Sequence, residues 1–79
     1  MDIREATSKR IEEIRKEKRL SKYALAYEAE MPSSTLKSII NGKSGNPGIC
    51  TIRKIADGLG MTFREFFDSE LFEHLDQID

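Results

Sequence analysis

The chain has 79 residues, of which 38% are hydrophobic, and a net charge of −1, so it suits one small soluble, cytoplasmic protein with no second core. No apolar run approaches the roughly 18 residues of a membrane span, and neither Cys50 nor His74 has the Cys or His neighbours that a metal needs, so we expect no membrane and no cofactor. Residues 1–43 hold ten Lys and Arg against seven Asp and Glu, and residues 44–79 hold three against seven, so the total charge does not exclude a nucleic-acid partner.

The first predicted helix runs from about Ile3 to Arg19. Asp2 is followed three residues later by Glu5, which is typical of a capping box at a helix N-terminus. The residues that recur at helical spacing and predict its inward-facing stripe are Ala6, Ile11 and Ile14. The remaining faces are strongly charged, and we expect water to solvate them.

A second and a third helix follow within a short segment. Ser21 is the predicted N-cap of a helix that ends near Glu28, and the next helix runs from about Ser33 to Ile40 or Asn41. Pro32 suits a helix start and pushes the residue before it out of the helical region. Gly42 is the expected left-handed stop. The predicted inward-facing residues of both helices are Ala24, Leu25, Ala29, Leu36 and Ile39.

Two further helices are predicted after a loop rich in Gly, Asn and Pro. The fourth runs from about Ile49 to Leu59, contains Gly58 at some cost in stability, and ends at Gly60. The apolar residues expected on its inner side are Ile49, Ile52, Ile55, Ala56 and Leu59. A second capping box, formed by Thr62 and Glu65, opens a fifth helix with Phe63, Phe66 and Phe67. No run alternates with period two, so the predicted fold is all-α with five helices.

The last ten residues form a predicted acidic tail, residues 70–79, after a domain of residues 1–69. From Glu65 onward the chain has six acidic residues and no basic one. Apolar residues continue at helical spacing in the tail, at Leu71, Phe72, Leu75 and Ile78. Two interpretations remain open: a final helix folded back on its own domain, or a contact that forms a homodimer.

The order of these segments resembles the lambda-repressor-like helix-turn-helix family, also called the Cro/repressor or XRE type. The motifs that carry the resemblance are RIEEIRKEKRLS, STLKSIINGK and NPGICTIRKIADGLGMTFREFF, which together cover roughly residues 9–69. The resemblance implies a compact five-helix domain that inserts its third helix into the major groove of double-stranded DNA. It also implies a sequence-specific transcription regulator, a repressor of bacterial or phage origin, rather than an enzyme.

The resemblance assigns DNA contacts residue by residue. The positions that match base-contacting ones are Ser33, Ser34, Lys37 and Ser38. Helical spacing also places these four opposite the inward-facing pair Leu36 and Ile39. The positions that match phosphate-contacting ones, or whose side chains or amides could reach a phosphate, are Lys22, Tyr23, Asn41, Lys43 and Ser44. The hydroxyl of Tyr27, four residues after Tyr23, could reach a phosphate in the same way.

The sequence departs from the family pattern in three respects. Glu30 replaces a turn glycine, although a left-handed backbone costs energy for any residue with a Cβ. Ile40 replaces the acid that commonly pairs with the arginine matching Arg15, so we expect Arg15 to reach solvent or another acid. The short serines of the third helix replace longer side chains and predict modest discrimination between DNA sequences.

Two other functions agree with the same residues. An antitoxin would use this fold together with a toxin-binding surface, for which the acidic, apolar tail is the candidate protein-partner site. A protein-interaction module that has lost DNA binding is the second alternative. An enzyme is not expected, because the sequence has no Gly-rich phosphate loop, no zinc motif and no Ser/His/Asp set.

Overall fold

A computed structural model describes residues 1–43 and 46–77, and these residues form helices and connecting turns without a strand. The elements in chain order are α1 (Ile3–Glu17), α2 (Lys22–Glu28), α3 (Ser33–Ile40), α4 (Ile49–Gly58), α5 (Phe63–Phe67) and a 3₁₀ turn (Glu70–Phe72). The predicted all-α fold with five helices is therefore confirmed. Within the same residues, none of the helices combines the length and the apolar character that crossing a bilayer requires.

Helix starts follow the residues that the sequence singled out. The Ser21 hydroxyl accepts from the Ala24 N–H at 3.0 Å. Thr62 and Glu65 form a complete capping box, with bonds of 3.1 Å to the Thr62 hydroxyl and 2.9 Å to the Glu65 carboxylate. At α1 only half of the predicted box forms, because Asp2 accepts from the Glu5 N–H at 2.9 Å while the reciprocal bond is absent from the described contacts.

Four helices end in the same kind of turn, with one residue in the left-handed region. The residues that occupy it are Arg19 (φ 57°), Glu30 (φ 55°), Gly42 (φ 72°) and Gly60 (φ 73°). Each turn closes with a bond from the next N–H to the carbonyl five residues earlier, such as Met31 N–H to Ala26 O at 3.0 Å. Glu30 therefore adopts the glycine-like backbone that the family resemblance implied. The turn at Arg19 also ends α1 at Glu17, two residues before its predicted end.

The core lies where all five helices meet, and its largest fully buried side chains are Phe66, Ile11, Leu25, Leu36, Ile55 and Leu59. The prediction that Ile49 faces this core is wrong, because its side chain is 71% exposed. With about 100° per residue, Ile49 lies roughly 70° from the centre of the buried stripe of α4. Ile49 is also the first residue of α4.

Gly58 marks the close contact between α4 and α2. A Cβ added at Gly58 would lie 3.0 Å from the Ala29 backbone nitrogen and 3.2 Å from the Ala29 Cβ. The last residue of α4 is therefore a glycine because two backbones approach each other there, and packing offsets the propensity cost that we predicted.

Arg10 links the first helix to the end of the fifth. Its Nε donates to the Phe66 carbonyl at 2.6 Å, its Nη2 donates to the Glu65 carbonyl at 2.9 Å, and its Nη1 pairs with Glu13 at 2.7 Å. The guanidinium thus bonds to two carbonyls at the C-terminus of α5, of which that of Glu65 also accepts from the Asp68 N–H at 3.3 Å. This contact joins residues more than fifty positions apart, so local pattern gave no sign of it.

The C-terminal segment packs on its own domain. Its 3₁₀ turn lies against α1, and the ring of Phe72 lies 4.9 Å from that of Phe67, measured between centroids. Further along, the Asp76 N–H donates to the Met1 carbonyl at 3.1 Å. This packing matches the first of the two interpretations of the tail, although with one 3₁₀ turn rather than a full α-helix. Ile78, the last apolar tail residue, lies outside the described residues.

Candidate nucleic-acid interface

Helix α3 presents a polar outer face because its apolar face is anchored in the core. Leu36, Ile39 and Ile40 are buried, and α3 packs on α1 and α2. The Ser8 hydroxyl on α1 also donates to the Ile40 carbonyl, which ties the end of α3 to α1. The anchoring fixes which side of α3 faces outward.

The predicted base-contacting residues lie on or beside that outer face. Ser34 is exposed, and Ser33, Lys37 and Ser38 are half-buried. Pro32 precedes them in an extended conformation and gives α3 no side-chain cap. The first-turn N–H groups of α3 therefore have no partner from a capping side chain, and such groups suit solvent or a phosphate oxygen.

Lys37 and Tyr23 come together across the α2–α3 pair. The Lys37 Nζ lies 4.8 Å from the centroid of the Tyr23 ring, within the range of a cation–π contact. Tyr23 is itself 67% exposed. One residue that we predicted to contact bases and one that we predicted to contact phosphate thus form a single cationic, aromatic surface, and the contact orients a flexible lysine.

Lys22 lies at the start of α2 beside Glu12. Its Nζ is 3.9 Å from one Glu12 oxygen, while Arg15 holds the other oxygen at 2.5 Å. Arg15 also donates to the Leu20 carbonyl at 2.7 Å. Of the two alternatives expected for Arg15, solvent or another acid, the structure shows the second, with Glu12 as the acid. Glu12 is thus shared between Arg15 and Lys22, with Arg15 the closer partner.

The C-terminal end of α3 exposes two more of the predicted phosphate contacts. Asn41 and Lys43 are both exposed, on either side of the left-handed Gly42. The Lys43 N–H donates to the Ser38 carbonyl at 2.9 Å, which fixes the direction of the chain as it leaves the helix. Ser44, the last predicted phosphate contact, lies outside the described residues.

Further exposed residues lie beside the assigned contacts. Thr35 is exposed on α3 beside Ser34. Its hydroxyl, in the same helical turn as those of Ser33 and Ser34, is the feature of the sequence that indicates a further DNA contact. Tyr27 is 82% exposed on α2, one helical turn after Tyr23. Glu28 and Glu30 are exposed near the α2–α3 turn, so the positive charge of this surface comes from Lys22, Lys37 and Lys43 rather than from the turn.

The geometry agrees with comparison to known proteins. A family model described as helix-turn-helix matches residues 11–66. The chain therefore belongs to the lambda-repressor-like, XRE-type helix-turn-helix family, whose domains are DNA-binding regulators. A search of the curated proteins found no match, and a search of the solved structures found none either.

Among the described residues, His, Cys, Asp and Glu nowhere gather in a group of three or more that could hold a metal ion. In the same part of the chain, every buried side-chain nitrogen or oxygen has a hydrogen-bond partner. The polar groups that remain for an external ligand are thus the exposed ones, and those of α3 and its neighbours form the candidate interface.

Proposed function

We propose that this protein is a sequence-specific transcriptional repressor that binds double-stranded DNA through α3. The observation that carries the proposal is the division of α3 into a buried apolar face and an outer face of hydroxyls and one lysine. An α-helix fits the major groove of B-DNA, and base edges there offer donors and acceptors. We further propose a bacterial or phage protein that acts in the cytoplasm.

The proposed base contacts come from Ser33, Ser34, Lys37 and Ser38. Serine hydroxyls donate or accept and so suit several bases, whereas Lys37 favours guanine O6 and N7. Reaching a base edge requires the Lys37 ammonium to leave the Tyr23 ring, a contact of about 0.5–1 kcal/mol at an exposed site. Short hydroxyls and one mobile lysine favour modest sequence discrimination.

Phosphate contacts would position α3 and contribute much of the affinity. We assign them to Lys22, Tyr23, Asn41, Lys43 and Ser44. Lys22 and Lys43 lie at the start of α2 and just after α3, so they can hold the backbone on two sides of the inserted helix. We propose that residues 1–69 form this DNA-binding domain and that bound protein represses by excluding polymerase, which needs no chemical step.

A binding titration over a series of salt concentrations tests the proposal. A duplex selected from random DNA should bind with a log–log slope of about −0.9 for each phosphate contact. Lys43→Ala should weaken all duplexes alike and reduce the slope by about 0.9, since it removes one contact. Lys54→Ala, an exposed lysine on α4, is the matched control and should bind as the unaltered protein does. Affinity that does not change with salt would contradict DNA binding.

The antitoxin and interaction-module alternatives depend on a protein partner at the tail. In the structure Leu71, Phe72 and Leu75 are half-buried against the domain, so the tail leaves less apolar surface for a partner than its sequence indicated. The same packing reduces the support for a tail-mediated homodimer, which stays a prediction.

A further inference from the structure

A cavity outside the α2–α3 surface lies between the start of α1, the segment that precedes α4, and helices α4 and α5. Its volume is about 530 Å³, which falls within the range of small-molecule sites. We call it the α1–α4–α5 cavity. None of the described residues to which we assign DNA contacts lines it. Its apolar lining includes Ile3, Ile49, Ile52, Phe63 and Phe67.

The cavity reaches from exposed side chains down to the core. Ile49 is 71% exposed and Ile3 is 42% exposed, whereas Ile52 is only 6% exposed. Phe63 and Phe67 are half-buried, with ring centroids 4.9 Å apart and ring planes at 52°. Such a recess buries most of a small apolar molecule, and the tilted pair of rings offers both faces and edges to an aromatic ring. The apolar part of the cavity therefore favours an aromatic ligand.

One cation accompanies this apolar lining. Arg4 is the only charged residue among the described residues that line the cavity. Its Nη2 lies 3.4 Å from the Asp2 carboxylate, and both side chains are about half exposed, so this ion pair contributes little to stability. The guanidinium has five N–H donors in a planar fork, which leaves donors for a second carboxylate. Asn46 also lines the cavity and is exposed, and its amide adds a neutral donor.

An open groove of about 710 Å³ between α4 and α5 adjoins the cavity and differs from it in charge. The groove and the cavity share Ile49 and Phe63. The rim of the groove carries both signs of charge, from Arg53, Asp57 and Glu65. Its two carboxylates would repel an anion, whereas the charge in the cavity attracts one. An anionic ligand therefore suits the cavity rather than the groove.

We propose that the α1–α4–α5 cavity binds a small aromatic monocarboxylate. The ring of the ligand packs on Ile52, Phe63 and Phe67. The carboxylate accepts charge-assisted hydrogen bonds from Arg4 and a further hydrogen bond from the Asn46 amide. A cationic ligand would be repelled by Arg4, and a phosphate would lose its hydration over an apolar floor. The site uses neither α2 nor α3, so binding does not depend on DNA and goes beyond the proposed function.

A nuclear magnetic resonance titration of the full, isotope-labelled chain with cinnamate, in the absence of DNA, tests the proposal. The amide shifts should saturate and should be largest at residues that line the cavity, such as Asn46, Gly48 and Ile52. Cinnamamide has nearly the same shape and no charge. It should bind at least about fivefold more weakly than cinnamate, because it loses the charge-assisted hydrogen bonds to the guanidinium.

Two variants separate the contributions of charge and of apolar contact. Arg4→Gln should weaken cinnamate binding at least about fivefold and leave cinnamamide binding unchanged, a difference that general loss of structure would not produce. Arg64→Gln is the matched control, because Arg64 is exposed on α5 and does not line the cavity; it should bind cinnamate as the unaltered protein does. Ile49→Asp should weaken cinnamate binding at least about tenfold, because it replaces an apolar wall by a carboxylate of the same sign as the ligand.

Ile49→Asp should keep its fold, because the side chain is exposed and an acidic residue suits the first turn of a helix. Thermal unfolding of each variant checks this independently. Shifts that do not saturate, equal affinity for cinnamate and cinnamamide, or unchanged cinnamate binding in Arg4→Gln would overturn the proposal. A second copy of the chain that covers the cavity would give a two-chain mass in sedimentation and no cinnamate shifts, and it would overturn the proposal too. Each result holds whatever the outcome of DNA binding.

Discussion

The α2–α3 and α4–α5 pairs have the same local architecture, but the side chains that they expose differ in chemical character. Each pair is joined by a turn with one left-handed residue, Glu30 in the first and Gly60 in the second. The α2–α3 pair exposes hydroxyls, lysines and tyrosine rings, whereas the α4–α5 pair exposes isoleucine and an apolar groove with a mixed-charge rim. The backbone therefore sets where a surface lies, and the outward-facing side chains decide what it binds.

The two pairs share one core and meet where Gly58 of α4 approaches Ala29, the residue that follows α2. A change at this contact should therefore affect both surfaces, whereas a change on either outer face should affect one.

Gly58→Val should lower the free energy of unfolding by about 1–3 kcal/mol, because its Cβ and methyl groups would overlap Ala29 and force α2 and α4 apart. Urea titration measures the change. Lys54→Val carries the same β-branched side chain one turn earlier on the exposed side of α4 and should lose well under about 1 kcal/mol. Equal losses in the two variants would mean that the close contact contributes nothing.

The two turns should respond oppositely to exchange of their left-handed residues. Glu30→Gly relieves a left-handed cost of about 1–2 kcal/mol, partly offset by the greater unfolded-state freedom of glycine, so a net gain of about 0.5–1 kcal/mol is expected. Gly60→Ala should lose about 1 kcal/mol for the same reason. Thermal unfolding measures both, since about 1 kcal/mol shifts the Tm of such a domain by several degrees. Loss of stability in Glu30→Gly would show that the Glu30 side chain contributes more than its backbone costs.

Lowering the pH should weaken the N-terminal caps of α5 and α1, and it should affect the starts of α2 and α3 less. The Thr62 N–H bonded to the Glu65 carboxylate lowers the pKa of Glu65 below its ordinary value of 4.5, and the Glu5 N–H does the same to the pKa of Asp2, ordinarily 3.8. A lowered pKa means that the folded state holds its proton less tightly than the unfolded state. The contribution of these two carboxylates to the free energy of unfolding is therefore complete at neutral pH, and it is lost as the pH falls below these ordinary values.

Thermal unfolding at several acidic pH values checks this prediction against Glu65→Gln, whose amide oxygen accepts the same hydrogen bond without titrating. The variant should lose less stability than the unaltered protein as the pH falls below 4.5. By contrast, α2 is capped by the neutral Ser21 hydroxyl and α3 has no side-chain cap. An identical pH dependence in both proteins would contradict the role assigned to the Glu65 carboxylate.

The helices could be predicted from sequence because their starts and stops are local. Ser21, Thr62, Gly42 and Gly60 each act within a few residues, and the structure has each in the predicted role. The outer face of α3 followed from periodicity in the same way. Ile49 was misplaced because periodicity does not show how far the neighbouring helices extend over α4.

Contacts between segments that are distant in the sequence could not be predicted from local sequence patterns. The close approach of Gly58 to Ala29, the Arg10 bonds to the end of α5 and the position of Lys37 over Tyr23 all depend on how helices are placed in three dimensions. The composition of the chain and the spacing of its residues do not indicate that placement. For the same reason, the groove between α4 and α5 could be identified only in the structure.

The most direct test of whether α3 reads DNA measures binding to one selected DNA half-site. Three proteins are compared: the unaltered protein, an α3 variant that combines Ser34→Ala with Lys37→Ala, and Ile49→Asp. Removing base contacts worth about 1–3 kcal/mol should weaken the half-site complex of the α3 variant by roughly tenfold or more. Ile49→Asp should bind the half-site as the unaltered protein does, because its altered side chain lies on the α4–α5 pair. Unchanged affinity in the α3 variant would contradict the claim that α3 reads DNA.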